Sequence, residues 1–309
     1  MSKKTHDNPV LTQILNDFIQ TEVLPKEYID FAKYWFIPLA EKLALKKHST
    51  NGPILIGING SQGSGKSTLS SLLTELLNNI HQLHTINISI DDFYLTRADR
   101  LKLAEDIHPL LATRGVPGTH DTRLMHNTLS NLLSGYKDVA IPAFNKATDD
   151  RYDPKEWASI PSEVDIVIIE GWIMGTPMQQ QQDLKIPVNT LETEEDKNAT
   201  WRNYVNEKIA TDYQPIYDMV DFWVMLKAPS FESVFKWRLQ QEKKLKIKLE
   251  KQNKPIDRIM SINDISRFIQ HYQRLTEHSL KTLPLKVDYL FELNDQRNVV
   301  NYAENGSSS

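Results

Sequence analysis

The 309-residue chain contains no cysteine, which excludes disulfides, thiolate nucleophiles and cysteine-ligated metal sites. This composition fits a reducing compartment. A large excess of one charge is also missing, because 36 Lys and Arg residues face 40 Asp and Glu residues and the formal net charge is −4. No global basic field therefore argues for a nucleic-acid partner.

Long hydrophobic runs are absent as well. The first residues lack the apolar core of about 7–15 residues that marks a signal peptide, and no run approaches the ~18 apolar residues of a membrane span. Apolar residues still make up 40% of the chain, which is enough for an ordinary buried core. We therefore expect a soluble, cytoplasmic protein without a membrane partner.

Short apolar runs alternate with helical patterns along most of the chain. The runs that fit strands buried on both faces of a parallel sheet are 54–59, 84–90, 138–144, 165–170, 221–227 and 286–293. The segments with helical spacing between them are 66–80, 122–134, 198–211 and 230–252. This alternation predicts an α/β fold with crossover connections. Residues 8–46 precede it and are predicted to be helical, with Asn8 as a cap and Pro9 at the first helical position.

Residues 60–67, GSQGSGKS, match the phosphate-binding pattern G-x-x-x-x-G-K-[ST], with the required strand before it and helix after it. The glycines allow successive backbone N–H groups to turn toward phosphates, and the helix adds the positive end of its dipole. We expect Lys66 to reach the β- and γ-phosphates and Ser67 to bind Mg²⁺. The residues of this stretch predicted to bind the nucleotide are Gly60, Ser61, Gln62, Gly63, Ser64, Gly65, Lys66, Ser67 and Thr68.

Carboxylate residues lie at the ends of two predicted strands. The strand at 84–90 is followed by Asp91 and Asp92, and the strand at 165–170 ends at Glu170. Ligands of open α/β sheets bind beyond the carboxyl ends of the strands, so Asp91 could accept a proton from an acceptor hydroxyl and Glu170 could help to hold Mg²⁺ or its water. Asp92 could also be the base. The alternatives are that the aspartate pair caps the next helix and that Glu170 is an ordinary solvent-exposed strand end.

The segment RGVPGTHD at residues 114–121 combines an unusual turn with charged groups. Two glycines and a proline constrain the turn. Arg114, His120 and Asp121 suit a small anionic, hydroxylated substrate, because arginine can grip a carboxylate through two hydrogen bonds. His120 could act as a base, although Asp91 is better placed. The alternative is a structural turn in which Asp121 caps the next helix.

Residues 142–151 form a second charged segment. Lys146 and Arg151 could bind a carboxylate or the transferred phosphate, and a surface loop is an equal alternative. Asn145 and Lys146 resemble the start of the guanine-specifying pattern N-K-x-D. The aspartate follows one residue too late, at Asp149, so we predict no guanine site.

These motifs follow one another in the order phosphate loop, SIDDFYLT, RGVPGTHD, DDR, IIEGW and FKWRLQQE. Over roughly residues 54–300 the chain therefore resembles the D-glycerate 3-kinase family. That family belongs to a P-loop kinase group that includes uridine kinase, phosphoribulokinase and pantothenate kinase. The phosphate loop is generic and SxDxFY is shared across the group, whereas DDFYLT, RGxPGTHD, EGW and WRLQxE together are specific to the glycerate-kinase-like branch.

The resemblance implies an ATP-dependent kinase that uses Mg²⁺ and has the P-loop NTPase fold, with three α/β/α layers, a mainly parallel five-stranded core sheet and a helical lid. It implies catalytic roles for Asp91, Lys66 and Arg238, the last at the position of a lid arginine that contacts ATP phosphates. Residues 293–299 look like the adenine-side segment of the family, so Arg297 is a further predicted ATP contact. The residues predicted to contact the acceptor are Asp91, Tyr94, Arg114, His120, Asp121, Lys146 and Arg151.

The expected domains are a helical extension packed on the core at 1–50, a P-loop kinase domain at 51–300 with a lid at about 230–255, and a disordered tail at 301–309. The lysine-rich stretch 242–254 is either a solvated helix face or a basic lid over the phosphates. Residues 174–197 are polar and are expected to form a loop or an insertion.

The leading hypothesis is transfer of the γ-phosphate of ATP to a hydroxyl of D-glycerate. Asp91 would be the base, and Lys66 and Arg238 would neutralise charge on the transferred group. The nearest alternative is a P-loop kinase for another small hydroxylated acceptor, such as pantothenate or a nucleoside. A nucleotide-dependent switch protein is an alternative from a different class.

Overall fold

The computed structural model describes residues 8–252 and 259–305. Its strands are β1 (Ile54–Gly60), β2 (Thr85–Ser89), β3 (Val139–Ile141), β4 (Phe144–Asn145), β5 (Asp150–Arg151), β6 (Ala158–Ile160), β7 (Ile166–Gly171), β8 (Phe222–Lys227), β9 (Tyr289–Leu293) and β10 (Val299–Glu304). Six of these strands form one sheet in the order β10-β9-β8-β1-β7-β2. The strands from β9 to β2 in this order run parallel, and β10 closes one edge antiparallel to β9.

Helices pack around this sheet. In the described ranges they are α1 (Pro9–Thr21), α2 (Tyr28–Trp35), α3 (Ile37–His48), α4 (Lys66–Asn79), α5 (Arg97–Asp106), α6 (Thr122–Leu133), α7 (Thr190–Glu195), α8 (Thr200–Lys208), α9 (Gln214–Tyr217), α10 (Phe231–Lys251) and α11 (Ile262–Thr282). The mainly parallel sheet with surrounding helices confirms the predicted α/β fold. Within these described parts of the chain, no helix has both the length and the hydropathy that crossing a membrane requires.

Strand β1 lies inside the sheet, between β8 and β7, and all seven of its residues are buried. A strand covered on both faces has no polar side to present to solvent, which explains its nearly continuous apolar sequence. Helix α4 follows the phosphate loop and packs on β1, β2 and β7. The phosphate loop therefore connects a fully buried strand to a helix that is packed on the sheet.

The prediction that residues 138–144 form a strand of the parallel sheet is wrong. Strand β3 pairs antiparallel with β6, and β4 pairs antiparallel with β5, so both lie in small separate sheets. Asp138 has a left-handed φ of 57° at one end of the apolar run. Pro142 interrupts the run and cannot donate to a strand ladder, so the segment cannot continue as one long strand.

The C-terminal part also differs from the sequence prediction. Helix α11 is not predicted, although the capping box of Ser261 and Asp264 and an apolar stripe mark it. Residues 301–304, expected in the disordered tail, belong to β10 because β9 offers them a free backbone edge. The expected lid residues 253–255 and tail residues 306–309 lie outside the described ranges.

The N-terminal helices are joined to the sheet through aromatic residues. Asn8 caps α1 by accepting a hydrogen bond from the N–H of Val10 at 2.9 Å, as predicted. Phe36 meets Phe291 of β9 edge to face, with 5.3 Å between the ring centroids. Helices α1 and α3 also contact α4. The extension thus contacts both strand β9 and the helix that follows the phosphate loop.

Residues 174–197 are mostly irregular, apart from a helical turn at Asp183–Lys185 and helix α7. A buried ion pair holds them, since Arg274 of α11 donates to the two carboxylate oxygens of Glu192 at 2.7 and 2.6 Å. A bidentate arginine–carboxylate pair restrains both partners. The expected loop is therefore packed against α11.

Candidate active site

The phosphate loop needs glycine for two different reasons. Gly65 caps α4 with a φ of 93°, a left-handed conformation that suits a residue without a Cβ atom. Gly63 has a φ of 78°, and a Cβ atom there would lie 2.9 Å from the Cβ of Trp237 on α10. The loop consequently turns tightly and also packs directly against the predicted lid helix.

Two serines of the loop carry buried polar atoms without a partner. The Oγ atoms of Ser61 and Ser64 make no hydrogen bond to any described residue, whereas buried polar groups normally have one. The first N–H groups of α4, which starts at Lys66, add the positive end of a helix dipole beside them. This arrangement fits the phosphates of a nucleotide.

Glu170 connects the two loop residues expected to meet the phosphates and the metal. Ser67 Oγ donates to Glu170 Oε1 at 2.8 Å, and Lys66 Nζ lies 3.7 Å from Oε2. The alternative of a solvent-exposed strand end is wrong, because Glu170 is 6% exposed. Hydroxyl and carboxylate oxygens are ligands that Mg²⁺ prefers, so these residues fit the predicted metal.

Asp91 lies just beyond β2 and is held by two partners. Its Oδ2 accepts a hydrogen bond from Lys146 Nζ at 2.7 Å, and its Oδ1 accepts one from the Tyr94 hydroxyl at 2.7 Å. Burial alone would raise the pKa of Asp91, but the charges of Lys146 and Lys66 and the two hydrogen bonds outweigh it and lower the pKa to about 2. Asp91 is therefore ionised at neutral pH and can accept a proton.

Asp92 faces a different neighbour. Its Oδ1 accepts a hydrogen bond from the backbone N–H of Phe144 at 3.3 Å, and burial raises its pKa. Asp92 thus anchors the loop that carries Lys146. The alternative in which the aspartate pair caps the next helix is wrong, because Ser89 and Thr96 cap the two helical segments that follow β2.

The segment RGVPGTHD pairs with the backbone of SIDDFYLT. The N–H of Asp121 donates to the carbonyl of Phe93 at 2.7 Å, and the N–H of Leu95 donates to the carbonyl of Thr119 at 2.9 Å. Asp121 also caps α6 by accepting a hydrogen bond from the N–H of Leu124 at 3.0 Å. The cap that the sequence offers as an alternative is therefore present, and the two motifs are neighbours.

Gly115 allows this segment to approach α11. Its φ is 131°, and a Cβ atom there would overlap the hydroxyl group of Tyr272. The Tyr272 hydroxyl donates to the carbonyl of Arg114 at 3.0 Å, and Trp172 Nε1 donates to the carbonyl of Gly115 at 3.0 Å. Helix α11 and the residue two after Glu170 therefore support the segment that carries Arg114.

His120 and Tyr94 are buried side by side. Their rings stack with 4.4 Å between centroids, and His120 Nδ1 lies 2.5 Å from the hydroxyl of Tyr213. Burial lowers the pKa of His120 to about 4, although the charge of Asp91 acts in the opposite direction. His120 is consequently neutral at physiological pH. Tyr94 directs its hydroxyl at Asp91, so the structure places it as a support of the candidate base.

The cations predicted to bind the acceptor all lie in ion pairs. Arg151 donates to the carboxylate of Asp121 at 3.3 Å, and Arg114 donates to Asp149. Lys146 pairs with the candidate base described above. The side chain of Lys146 is 60% exposed, against 30% for Arg114 and 14% for Arg151. Lys146 is therefore the most accessible of the three to an arriving anion.

Arg297 reaches the phosphate loop. Its Nε donates to the carbonyl of Gly63 at 2.7 Å, and its guanidinium lies 5.3 Å from the ring centroid of Trp237. Arg238 instead pairs with Glu242 of the same helix at 2.8 Å and lies over an aromatic ring of α11. Direct ATP contacts of both arginines stay predictions.

Sequence reasoning misses Arg100, which connects loops that carry residues predicted to contact the acceptor. Its side chain is 1% exposed and forms an ion pair with Asp149 at 2.9 Å. It also donates to the backbone carbonyls of Leu95, Ala112 and Asp149 at 3.3, 2.9 and 2.7 Å. Helix α5 has little apolar periodicity, so no sequence signal marks Arg100 as buried.

The sequence of this chain is similar to those of known kinases. Residues 55–205 match the phosphoribulokinase / uridine kinase family. An uncharacterized kinase of Schizosaccharomyces pombe is 36% identical over 250 residues, which cover 76% of this chain and 84% of that protein. The chloroplastic D-glycerate 3-kinase of Arabidopsis thaliana is 30% identical over 199 residues, which cover 62% of this chain and 41% of that protein.

A solved structure shows the same fold over most of the chain. It is a D-glycerate 3-kinase from Cryptococcus neoformans, 24% identical in sequence, with a TM-score of 0.70. The match covers 86% of this chain and 96% of that structure. The match therefore extends beyond residues 55–205, which are about half of the chain.

Proposed function

The chain belongs to the phosphoribulokinase / uridine kinase family, and we propose that it is an ATP-dependent kinase that phosphorylates a hydroxyl of a small anionic acceptor, with D-glycerate as the favoured one. The observation that carries the proposal is the position of Asp91. It is ion-paired with Lys146, and the charge of Lys66 on the phosphate loop contributes to its low pKa. The lysine predicted to bind phosphates and the candidate proton acceptor are thus close enough to interact.

In the proposed reaction, Asp91 accepts the proton of the acceptor hydroxyl while the hydroxyl oxygen bonds to the γ-phosphorus of ATP. The bond between that phosphorus and the bridging oxygen breaks, so that ADP leaves. The phosphoryl transition state is loose, so positioning of the hydroxyl matters more than the basicity of the carboxylate. Tyr94 and Lys146 supply this positioning by holding one oxygen of Asp91 each.

Charge on the phosphates is balanced by residues of the loop and its neighbours. Lys66 would stabilise the transferred group, and Ser67 and Glu170 would hold Mg²⁺. When bound, Mg²⁺ neutralises charge on the β- and γ-phosphates. Helix α10 already packs on the loop at Trp237, so it would cover the bound phosphates and exclude water, which limits wasteful hydrolysis. Arg238 would leave Glu242 to contact the phosphates.

The surroundings of Asp91 favour an acceptor that carries both an anion and a hydroxyl. Lys146 lies beside the base and is exposed enough to meet a carboxylate. D-glycerate has a carboxylate next to its hydroxyls, so one such contact would place a hydroxyl near Asp91. Pantothenate also carries a carboxylate, whereas a nucleoside has no anionic group. The similarity to a plant D-glycerate 3-kinase supports glycerate.

A panel of acceptors tests the proposed function. ADP release by the full chain with Mg²⁺ and ATP is measured with D-glycerate, L-glycerate, pantothenate or uridine, and without an acceptor. We expect D-glycerate to give the strongest stimulation, and product analysis then identifies the phosphorylated hydroxyl. If only pantothenate or uridine stimulates ADP release, that compound and not D-glycerate is the acceptor. Slow hydrolysis at one rate under all conditions would indicate a switch protein.

The exchange Lys146→Gln should raise the KM for the acceptor about tenfold or more, the equivalent of one lost hydrogen bond to a charged partner. It should also move the acid limb of the pH profile to higher pH. Without this ammonium group the pKa of Asp91 rises from about 2, so the base is protonated at a higher pH. Steady-state kinetics with varied acceptor and pH measures both effects.

Lys137→Gln is the matched control for this exchange. Lys137 is an exposed lysine that lies 3.7 Å from a carboxylate, Glu163, outside the candidate site. Its replacement should leave the KM and the acid limb unchanged. If the acceptor KM of Lys146→Gln equals that of the wild type, Lys146 does not bind the acceptor.

A further inference from the structure

A cavity of about 630 Å³ opens beside the phosphate loop. The loop side of the cavity is formed by Gly63, Ser64, Gly65 and Thr68. Sites for small molecules and cofactors commonly enclose about 300–1,000 Å³, so the cavity has the size of a nucleoside site. Phosphates held by the loop would leave the rest of the nucleotide in this adjoining space.

Much of the cavity wall comes from the N-terminal extension. The residues of this segment that line the cavity are Leu24, Pro25, Glu27, Tyr28, Phe31 and Phe36. They belong to the α1–α2 connection, to helix α2 and to the single residue between α2 and α3. Sequence reasoning predicts only a packing role for this extension, because nothing in its pattern distinguishes an aromatic stripe that borders a ligand from one that is fully covered.

The aromatic residues of this wall form a connected cluster. The ring centroids of Tyr28 and Phe31 are 5.6 Å apart, and those of Phe31 and Phe36 are 5.2 Å apart in an edge-to-face contact. Phe36 is in turn packed on Phe291 of β9. The wall is therefore tied to the central sheet. Phe31 is only partly buried, which leaves part of its ring facing the cavity.

The rest of the cavity lining includes side-chain amides, apolar residues and the cations Lys244 and Arg297. Gln240 and Gln241 come from α10, and Gln296 and Asn298 come from the segment between β9 and β10. Asparagine and glutamine can pair with the donor and acceptor groups on the edge of adenine. A cavity lined by both aromatic rings and side-chain amides suits a base, since bases stack on aromatic faces.

We propose that residues 24–36 form one wall of the subsite for the base and ribose of the nucleotide. The N-terminal helices then take part directly in ATP binding, in addition to supporting the sheet. This inference rests on the proposed ATP-dependent function and extends it to a segment outside the phosphate loop. It assigns the aromatic face of Phe31 to the base and makes Leu24 a second contact of the subsite, outside the aromatic cluster.

The test compares ATP with inorganic tripolyphosphate, which has phosphates but no base. Dissociation constants of both, with Mg²⁺, are measured by calorimetry on the full chain and on the Phe31→Ala variant. ATP binding should weaken about tenfold through the loss of one stacking surface. Tripolyphosphate binding should stay within about twofold, because the loop that binds phosphates is unchanged.

Two further variants sharpen this test. Tyr34→Ala is the matched control, because Tyr34 lies on the same helix, is 69% exposed and contacts Trp35 outside the cavity. It should leave both constants unchanged. Leu24→Ala repeats the test outside the aromatic cluster, so that it remains informative even if Phe31→Ala does not fold. It should weaken ATP binding and spare tripolyphosphate.

Two results would overturn the inference. The first is wild-type ATP affinity in both Phe31→Ala and Leu24→Ala. The second is a parallel loss of ATP and tripolyphosphate binding, because the extension would then act only by supporting the loop. A wild-type chain that binds neither ATP nor tripolyphosphate would instead contradict the proposed function itself.

Discussion

Asp91→Asn should lower the rate of phosphoryl transfer by about 10²–10⁴-fold, the usual contribution of a general base. Asparagine has the same shape and can still accept the hydrogen bond from Tyr94, but its amide cannot take up the hydroxyl proton. ATP affinity should be retained, because the phosphate loop is untouched. Turnover at saturating acceptor and the ATP dissociation constant are the two quantities to measure.

Asp92→Asn supplies the matched control for this variant. The same chemical change is made at the adjacent residue, and the remaining carbonyl oxygen can still accept the hydrogen bond from Phe144. Turnover should stay close to that of the wild type. The reverse ranking of the two variants would make Asp92 the base, and near-normal turnover in both would reject a carboxylate base at this position.

Lys66→Met should reduce turnover by about 10²–10³-fold, the loss found when one preorganised charge-stabilising group is removed from an active site. Methionine keeps a similar length and shape but carries no charge, so the phosphoryl oxygens lose an electrostatic partner as their charge shifts. ATP binding should weaken as well, because the same lysine contacts the phosphates before the reaction. Single-turnover rates at saturating ATP separate the chemical step from this weaker binding.

A second substitution distinguishes the loss of the lysine charge from a loss of protein stability. In Lys66→Met the buried carboxylate of Glu170 loses the ammonium group at 3.7 Å, and an unpaired buried charge is destabilising. In the double variant Lys66→Met/Glu170→Gln the unpaired charge is gone, and the glutamine oxygen can still accept from Ser67. We expect the double variant to regain thermal stability without regaining turnover. Because Glu170 is also a proposed Mg²⁺ ligand, the reference is Glu170→Gln alone, and equal turnover in this variant and the double variant would show that Lys66 acts only through stability.

The parts of the site that could be predicted are those encoded by short, local patterns. The phosphate loop places glycine where the backbone takes left-handed angles, as Gly63 and Gly65 show, and an adjacent strand and helix complete the pattern. Asp91 and Glu170 could be named because parallel strands end at the same edge of a sheet. Short apolar runs mark the buried strands and polar residues mark their ends, so the α/β fold could be predicted from the sequence.

The parts that could not be predicted depend on contacts between distant segments. Arg100 is buried because carbonyl groups from other loops surround it, and its own helix gives no hint of this. Residues 138–144 are apolar enough for a parallel strand, yet they pair antiparallel with later segments in two small separate sheets. Apolar content alone does not distinguish these two environments.

By itself, the sequence determined an α/β fold, a phosphate loop and the strand-end carboxylates, because each depends on local spacing and backbone preference. Only the tertiary structure decided that Lys146 pairs with Asp91, which lies 55 positions away, and that Asp92 faces the backbone of Phe144. It also decided that residues 24–36 border the cavity beside the phosphate loop. These features arise from the packing of segments that are far apart along the chain, and a single sequence does not state which of its segments meet.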